Sequence, residues 1–181
     1  MNIEHELRGQ GANAPRQPNR AERGREQTRL FNIPNEPVTS DDYYTPPELF
    51  EIMDLIFDID VCAPPNGIPW IPAKRHFDLN DDGLQQEWVG RIWMNPPYSN
   101  TAPWMDRFIH HRNGVALIPT SRAQWFGRLW QSDAGIVHPT GTPMFQFVRP
   151  DGKRANIYMP VILAAFGDDN IKAISKIGKL R

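Results

Sequence analysis

The chain has 181 residues, 40% of them apolar and 23% charged, with 20 Lys and Arg set against 21 Asp and Glu for a formal net charge of −1. That balance suits one globular domain with or without a tail, and it excludes both a wholly disordered chain and a nucleic-acid binder held by bulk positive charge. No stretch reaches the roughly 20 uncharged apolar residues of a membrane helix, and the single Cys62 has neither a disulfide partner nor a zinc-type cluster around it, so a reducing cytoplasm without a membrane or metal partner is expected.

Residues 1–40 contain Gly9, Gly11, Gly24, Pro15, Pro18, Pro34 and Pro37, six arginines and five glutamates, with almost no apolar periodicity. Such a segment buries too little surface to offset its ordering entropy and reads as a disordered tail, with an arm that touches DNA phosphates as the alternative. The folded domain is expected over 41–181.

Thr45-Pro46-Pro47-Glu48 reads as a capping box with proline at the first helical position, and Leu49, Ile52, Met53 and Ile56 follow at helical spacing. Phe57–Val61 reads as a strand that ends in the loop Cys62–Pro72. Arg91–Met94 is a second strand, stopped by Pro96-Pro97, which cannot continue a ladder. Trp104, Met105, Phe108 and Ile109 mark a helix to about Arg112, and Gly114–Pro119 is an apolar run of the kind buried on both faces of a parallel sheet. Trp125, Phe126, Leu129 and Trp130 return to helical spacing. Ile136–His138, Met144–Val148 and Tyr158–Phe166 read as strands, the last two forming a hairpin around Arg149-Pro150-Asp151-Gly152. Asp168 is expected to cap a last helix carrying Ile171, Ile174 and Ile177, with Gly178 past its end. Alternating strands and helices predict an α/β fold: a single open, mostly parallel sheet with helices on both faces and a closing antiparallel hairpin.

Asn95-Pro96-Pro97-Tyr98 lies just beyond the carboxyl end of a strand, where open α/β sheets bind ligands. The Asn95 side-chain oxygen and the Pro96 carbonyl are acceptors, and the prolines make the loop stiff and poor in donors. Two acceptors followed by an aromatic ring suit a planar guest with an exocyclic NH₂, which donates both hydrogens while Tyr98 stacks on the ring. Accepting both hydrogens favours pyramidalisation of the amine and lets charge build on nitrogen. Methyl transfer from a sulfonium held in line then needs mainly positioning, which can contribute up to about 7–11 kcal/mol.

The set Asp42-Tyr43-Tyr44-Thr45-Pro46, Phe57–Ala63, Asp81-Asp82-Gly83-Leu84 with Trp88, Trp93–Ser99, and Leu117–Arg122 with Trp125-Phe126 resembles, in that order, the phage-type DNA N6-adenine methyltransferase (Dam) family. The likeness covers roughly Asp41 to Gly167 and implies a minimal class I methyltransferase-like fold, S-adenosylmethionine as cofactor, double-stranded DNA as partner, and a phage or prophage setting in a bacterial cytoplasm. It implies that Asn95, Pro96, Pro97 and Tyr98 form the catalytic segment. It further implies that Tyr44, Thr45, Pro46, Asp60, Ala63, Asp82 and Asn95 bind the cofactor, and that Ser99 and Arg122 contact nucleic acid. The chain departs from the usual glycine-rich first turn, having Cys62-Ala63-Pro64-Pro65-Asn66-Gly67 instead. A separate base-reading domain has no room between Ala63 and Asn95, so target reading is expected from loops Pro64–Asp82, Asn100–Pro103 and 139–143. Other readings are transfer to RNA adenine or a glutamine amide, and an inactive binding relative.

Overall fold

The computed structural model describes residues 39–139, 145–157 and 159–181, within the unit Asn35–Arg181. The expected tail falls outside these residues except for its last two, as do the 140–143 part of the third reading loop, Met144 and Tyr158. Thr39 already belongs to the fold. It caps a 3₁₀ turn, Ser40–Asp42, through a reciprocal box in which its hydroxyl accepts from the Asp41 N–H and Asp42 accepts from the Thr39 N–H at 2.7 Å.

The chain then runs through helix α1 (Pro47–Met53), strands β1 (Phe57–Asp60), β2 (Ala73–His76) and β3 (Ile92–Met94), helix α2 (Thr101–His111) and strand β4 (Gly114–Pro119). Helix α3 (Gln124–Gln131), strands β5 (Gly135–Val137), β6 (Phe147–Val148), β7 (Arg154–Ala155) and β8 (Val161–Phe166), and helix α4 (Asp168–Ile174) complete it. Six strands form one sheet in the order β2-β1-β3-β4-β8-β5, and β6 with β7 forms a separate antiparallel pair. Only β8 runs against its neighbours, so the sheet is open and mostly parallel, as expected.

Period-2 alternation divides the core into two layers. Ile92, Met94, Ala116, Ile118, Ile162 and Ala164 face Trp104, Met105 and Phe108 of α2 and Trp125 and Leu129 of α3. Trp93, Val115, Leu117, Leu163 and Ala165 face Leu49, Phe50 and Met53 of α1 and Ala173 and Ile174 of α4. Helices therefore cover both faces. Because β1, β3 and β4 are parallel, Asp60, Asn95 and Thr120 emerge at one edge of the sheet.

Several expectations need correction. Thr45 does not cap α1. Pro47 forces the preceding residue into extended backbone, and Pro46 (φ −69°, ψ 145°) becomes the cap without any side-chain bond. Pro47 has no N–H for the Thr45 hydroxyl to meet, that hydroxyl makes no bond with a described residue, and Glu48 instead pairs with Arg154 at 2.5 Å. Strand β2 was expected to be loop; its Lys74, Arg75 and His76 are all exposed, as befits an edge strand without an apolar stripe. The hairpin's second arm is β7, while β8 inserts between β4 and β5, so β4 has one parallel and one antiparallel neighbour. Gly167, not Asp168, caps the last helix, which ends at Ile174 in a turn that still buries Ile177.

Candidate active site

Strand β3 ends because Pro96 and Pro97 have no N–H for the ladder, and the chain passes through a 3₁₀ turn, Tyr98–Asn100, into α2. The Asn95 amide donates from Nδ2 to the Tyr43 carbonyl at 3.2 Å, which leaves Oδ1 as the atom able to accept from a guest. Asp41 accepts from the Ser99 N–H at 3.1 Å and from its hydroxyl at 2.5 Å. Tyr44 pairs with Val148 through both backbone groups, at 2.8 and 2.9 Å, and Trp70 Nε1 donates to the Thr45 carbonyl at 2.8 Å. The segment before α1 is thus tied to the loop that follows β3.

A cleft of about 490 Å³ opens at the carboxyl ends of β1 and β3. Asp41, Asp42, Asp60, Asp78 and Asp82 line it, with no Lys, Arg or His among its described walls. The rest of the wall includes Pro64, Ile68, Ile71, Phe77, Leu79 and Trp104. Asp60 is only 3% exposed, and among the described residues its carboxylate accepts only from the Cys62 N–H, at 3.3 Å. Burial pushes its carboxyl up to about 7, against the smaller opposite pull of that hydrogen bond. Burial, with Asp60 nearby, also pushes the Cys62 thiol up.

Asp82 stands on the turn that leads to Trp88 and adopts a left-handed backbone, φ 53°. Gly83 beside it packs so closely that a Cβ would lie 2.0 Å from the Val61 carbonyl oxygen. Trp88 Nε1 donates to the Gly83 carbonyl at 2.8 Å, and Arg107 of α2 donates to the Leu84 and Gln86 carbonyls while lying 4.9 Å from the Trp88 ring centre. The turn that presents Asp82 is held from beneath by α2.

A second cleft, of about 360 Å³, lies at the carboxyl end of β4 and is lined by Tyr98, Ser99, Thr120, Ser121, Trp125 and Met159, among others. None of its described walls is charged. The Tyr98 hydroxyl is buried without a hydrogen-bond partner among the described residues, and burial raises its pKa strongly. Arg122, next to Ser121, is exposed and makes no ion pair with a described residue.

The structure brings Tyr44, Asp60, Ala63, Asp82 and Asn95 together around the acidic cleft, with Cys62 and Pro97. Thr45 and Pro46 stand apart from it. Thr45 is fully buried, with its hydroxyl unpartnered among the described residues, and Pro46 lines a separate apolar cavity of about 330 Å³. Pro96 is buried and lines neither cleft, while Tyr98 and Ser99 line the neutral one. The expected reading loop Pro64–Asp82 supplies much of the acidic cleft's wall, and Asn100 lines the neutral cleft. Asp41, Asp42, Phe77, Asp78 and Trp104 were missed. The adjacent acids before Tyr43-Tyr44 were the signal for the first two; the others reach the cleft only through tertiary packing.

The arrangement offers a cation a concave acidic wall and offers a neutral planar group a polar, aromatic niche, with Asn95–Tyr98 between. Residues 34–157 match the sequence profile of the family described as DNA N-6-adenine-methyltransferase (Dam). The chain is also 29% identical over 99 residues to the DNA N-6-adenine-methyltransferase of Haemophilus phage HP1 (strain HP1c1). That match spans 51% of this chain and 56% of the relative, so the two share about half their lengths. With more than half of its residues matched to that profile, the chain belongs to the DNA N-6-adenine-methyltransferase (Dam) family.

Proposed function

We propose that this protein transfers a methyl group from S-adenosylmethionine to the N6 amine of adenine in double-stranded DNA, with the target base flipped out of the helix. The observation that carries the reading is the partition of the two clefts: Asn95 and Pro97 line the acidic one and Tyr98 the neutral one. One short, stiff loop therefore touches both spaces.

The donor set of the acidic cleft fits the proposed cofactor. Five carboxylates and no described cation suit a ligand bearing a sulfonium and an ammonium, and the apolar Ile68, Ile71, Phe77 and Leu79 suit a flat ring. Asp60 would hold a cationic or hydroxyl group of the cofactor, Asp82 would face it across the cleft, and Tyr44, Ala63 and Asn95 would complete the wall. When bound, the cofactor supplies an electrophilic methyl group that needs no further activation.

The chain's own residues then do the positioning. The Tyr43 carbonyl holds the Asn95 amide so that Oδ1 is available to accept from the target amine. Pro96 and Pro97 keep competing N–H donors out of the loop. Tyr98 offers a ring face to a base that has lost its stacking neighbours, a contact worth about 1–3 kcal/mol. The exposed guanidinium of Arg122, without an ion pair among the described residues and next in sequence to Ser121 of the neutral cleft, suits a DNA phosphate. With reading left to loops, the target is short or relaxed.

Incubating the full chain with tritium-labelled S-adenosylmethionine and unmethylated DNA, RNA or a glutamine-bearing protein tests this assignment. Label is expected in DNA alone. Label in RNA or protein, or in no acceptor, would overturn it.

A further inference from the structure

Tyr98–Asn100 is a 3₁₀ turn whose N-cap, Pro97, supplies no side-chain cap. The first N–H groups of such a turn are orphans unless something outside it accepts from them. Asp41, 58 residues earlier in the chain, takes that role with both carboxylate oxygens: one receives the Ser99 N–H at 3.1 Å and the other the Ser99 hydroxyl at 2.5 Å. Two residues on, the Tyr43 carbonyl receives the Asn95 amide at 3.2 Å. The stretch Asp41–Tyr43 thus grips the target loop at both ends, just before Pro96 and just after Tyr98. The stretch is itself anchored by the Thr39–Asp42 box upstream and by the paired backbone of Tyr44 and Val148 downstream. A tether of this kind fixes the aim of Asn95 and Tyr98 without touching the base.

We propose that Asp41 is a positioning residue that latches the Asn95–Tyr98 loop through Ser99. Ser99 therefore serves the loop and not DNA: a phosphate brought to its hydroxyl would meet the Asp41 carboxylate. The kinetic part of this proposal rests on the methyl transfer proposed above.

The test uses the full chain as Asp41→Ala, Ser99→Ala, the double variant and Ser99→Thr. Charge-assisted hydrogen bonds at an exposed site set the scale at about tenfold in rate. Asp41→Ala and Ser99→Ala should each lower kcat, read at saturating cofactor, about tenfold, with KM for DNA within about twofold of wild type. The cofactor Kd should stay within about twofold in Ser99→Ala, whereas Asp41→Ala also removes one carboxylate of the acidic cleft and should weaken the cofactor. The double variant should be no worse than the poorer single one, because both remove the same interaction. Ser99→Thr keeps the hydroxyl and should restore kcat. Amide hydrogen exchange at Ser99 should quicken about tenfold in Asp41→Ala without global unfolding. Additive losses in kcat, an unchanged kcat, a cofactor defect in Ser99→Ala, or a raised KM for DNA in Ser99→Ala would each overturn the latch. If the wild type methylates no DNA, the proposed function fails while hydrogen exchange still decides the latch: unaltered protection of the Ser99 amide overturns it, and quickened exchange supports it.

Discussion

The two clefts on either side of Asn95–Tyr98 are similar in scale, about 490 and 360 Å³, yet opposite in character. One is lined by five aspartates and no described cation, whereas the other has no charged residue among its described walls. Coulombic attraction in a concave, partly desolvated wall favours a cation on the first side. An uncharged niche of hydroxyls and aromatic rings favours a neutral planar group on the second. The loop between them has two prolines and is tied at both ends, so it can present an acceptor to one side and a ring to the other without itself rearranging. The proposed selectivity for two unlike guests rests on this charge separation across one rigid loop.

The largest effect should follow from breaking the shared element. Asn95→Ala removes the acceptor for an amine that gains positive character during transfer, so kcat should fall by about 100-fold or more. Cofactor affinity measured by calorimetry should stay within a few-fold of wild type. A comparable loss of both would mean that Asn95 serves the acidic side alone.

Asp60→Asn separates the acidic cleft from the neutral one. Losing a charge-assisted bond of about 1.5–3 kcal/mol should weaken the cofactor about 10- to 100-fold, and leave DNA affinity nearly untouched. It should also remove a pH dependence. The Asp60 carboxyl is raised by burial from the usual carboxylate range to about 7, so the folded protein without ligand holds this proton more tightly than the unfolded chain does. The contribution of Asp60 to stability is therefore full below about pH 4, declines as pH rises, and is lost above about 7. A cation that needs the ionised carboxylate binds with the reverse trend: its affinity rises with pH up to about 7 and then levels. Thermal unfolding and calorimetry between pH 5 and 8 should show both trends in wild type and neither in Asp60→Asn.

Tyr98 sharpens the neutral side. Its buried hydroxyl has no partner among the described residues, so Tyr98→Phe sheds a desolvated group and should leave stability unchanged or slightly raised. Activity on DNA should remain near wild type, while Tyr98→Ala should lower kcat/KM for DNA by about tenfold or more. A mismatch opposite the target adenine should partly rescue the alanine variant, because flipping then costs less. Equal losses in the two variants would assign the hydroxyl, not the ring, to the guest.

Arg122→Ala should have the smallest effect, a few-fold weaker DNA binding with unchanged turnover at saturation. The slope of log K against log salt should become shallower by about one. An unchanged slope would remove Arg122 from the DNA surface.

Much of this architecture is legible in local pattern. Gly114–Pro119 declares itself by unbroken apolar character, and Pro96-Pro97 marks where β3 must stop. The tetrapeptide stands out in the sequence because acceptors, stiffness and an aromatic ring sit within four residues. Elements defined by neighbours distant in sequence escape that kind of reading. Ala73–His76 is a strand because β1 pairs with it, not because of its own exposed cationic side chains. Thr45 has the composition of a cap, yet two prolines displace it. The acidic lining is assembled from Asp41, Asp42, Asp60, Asp78 and Asp82, which come from three separate segments, and Asp78 in particular reaches it only through tertiary packing. The bond from Asp41 to Ser99 links residues 58 apart and leaves no periodic trace.

The most direct test of the central claim is nucleoside analysis of unmethylated duplex DNA after incubation with labelled S-adenosylmethionine, with wild type and Asn95→Ala run in parallel. The account predicts N6-methyl-2′-deoxyadenosine as the labelled product of the wild type and a yield lower by about 100-fold or more from the variant. Label on cytosine, or equal yields from the two proteins, would contradict it.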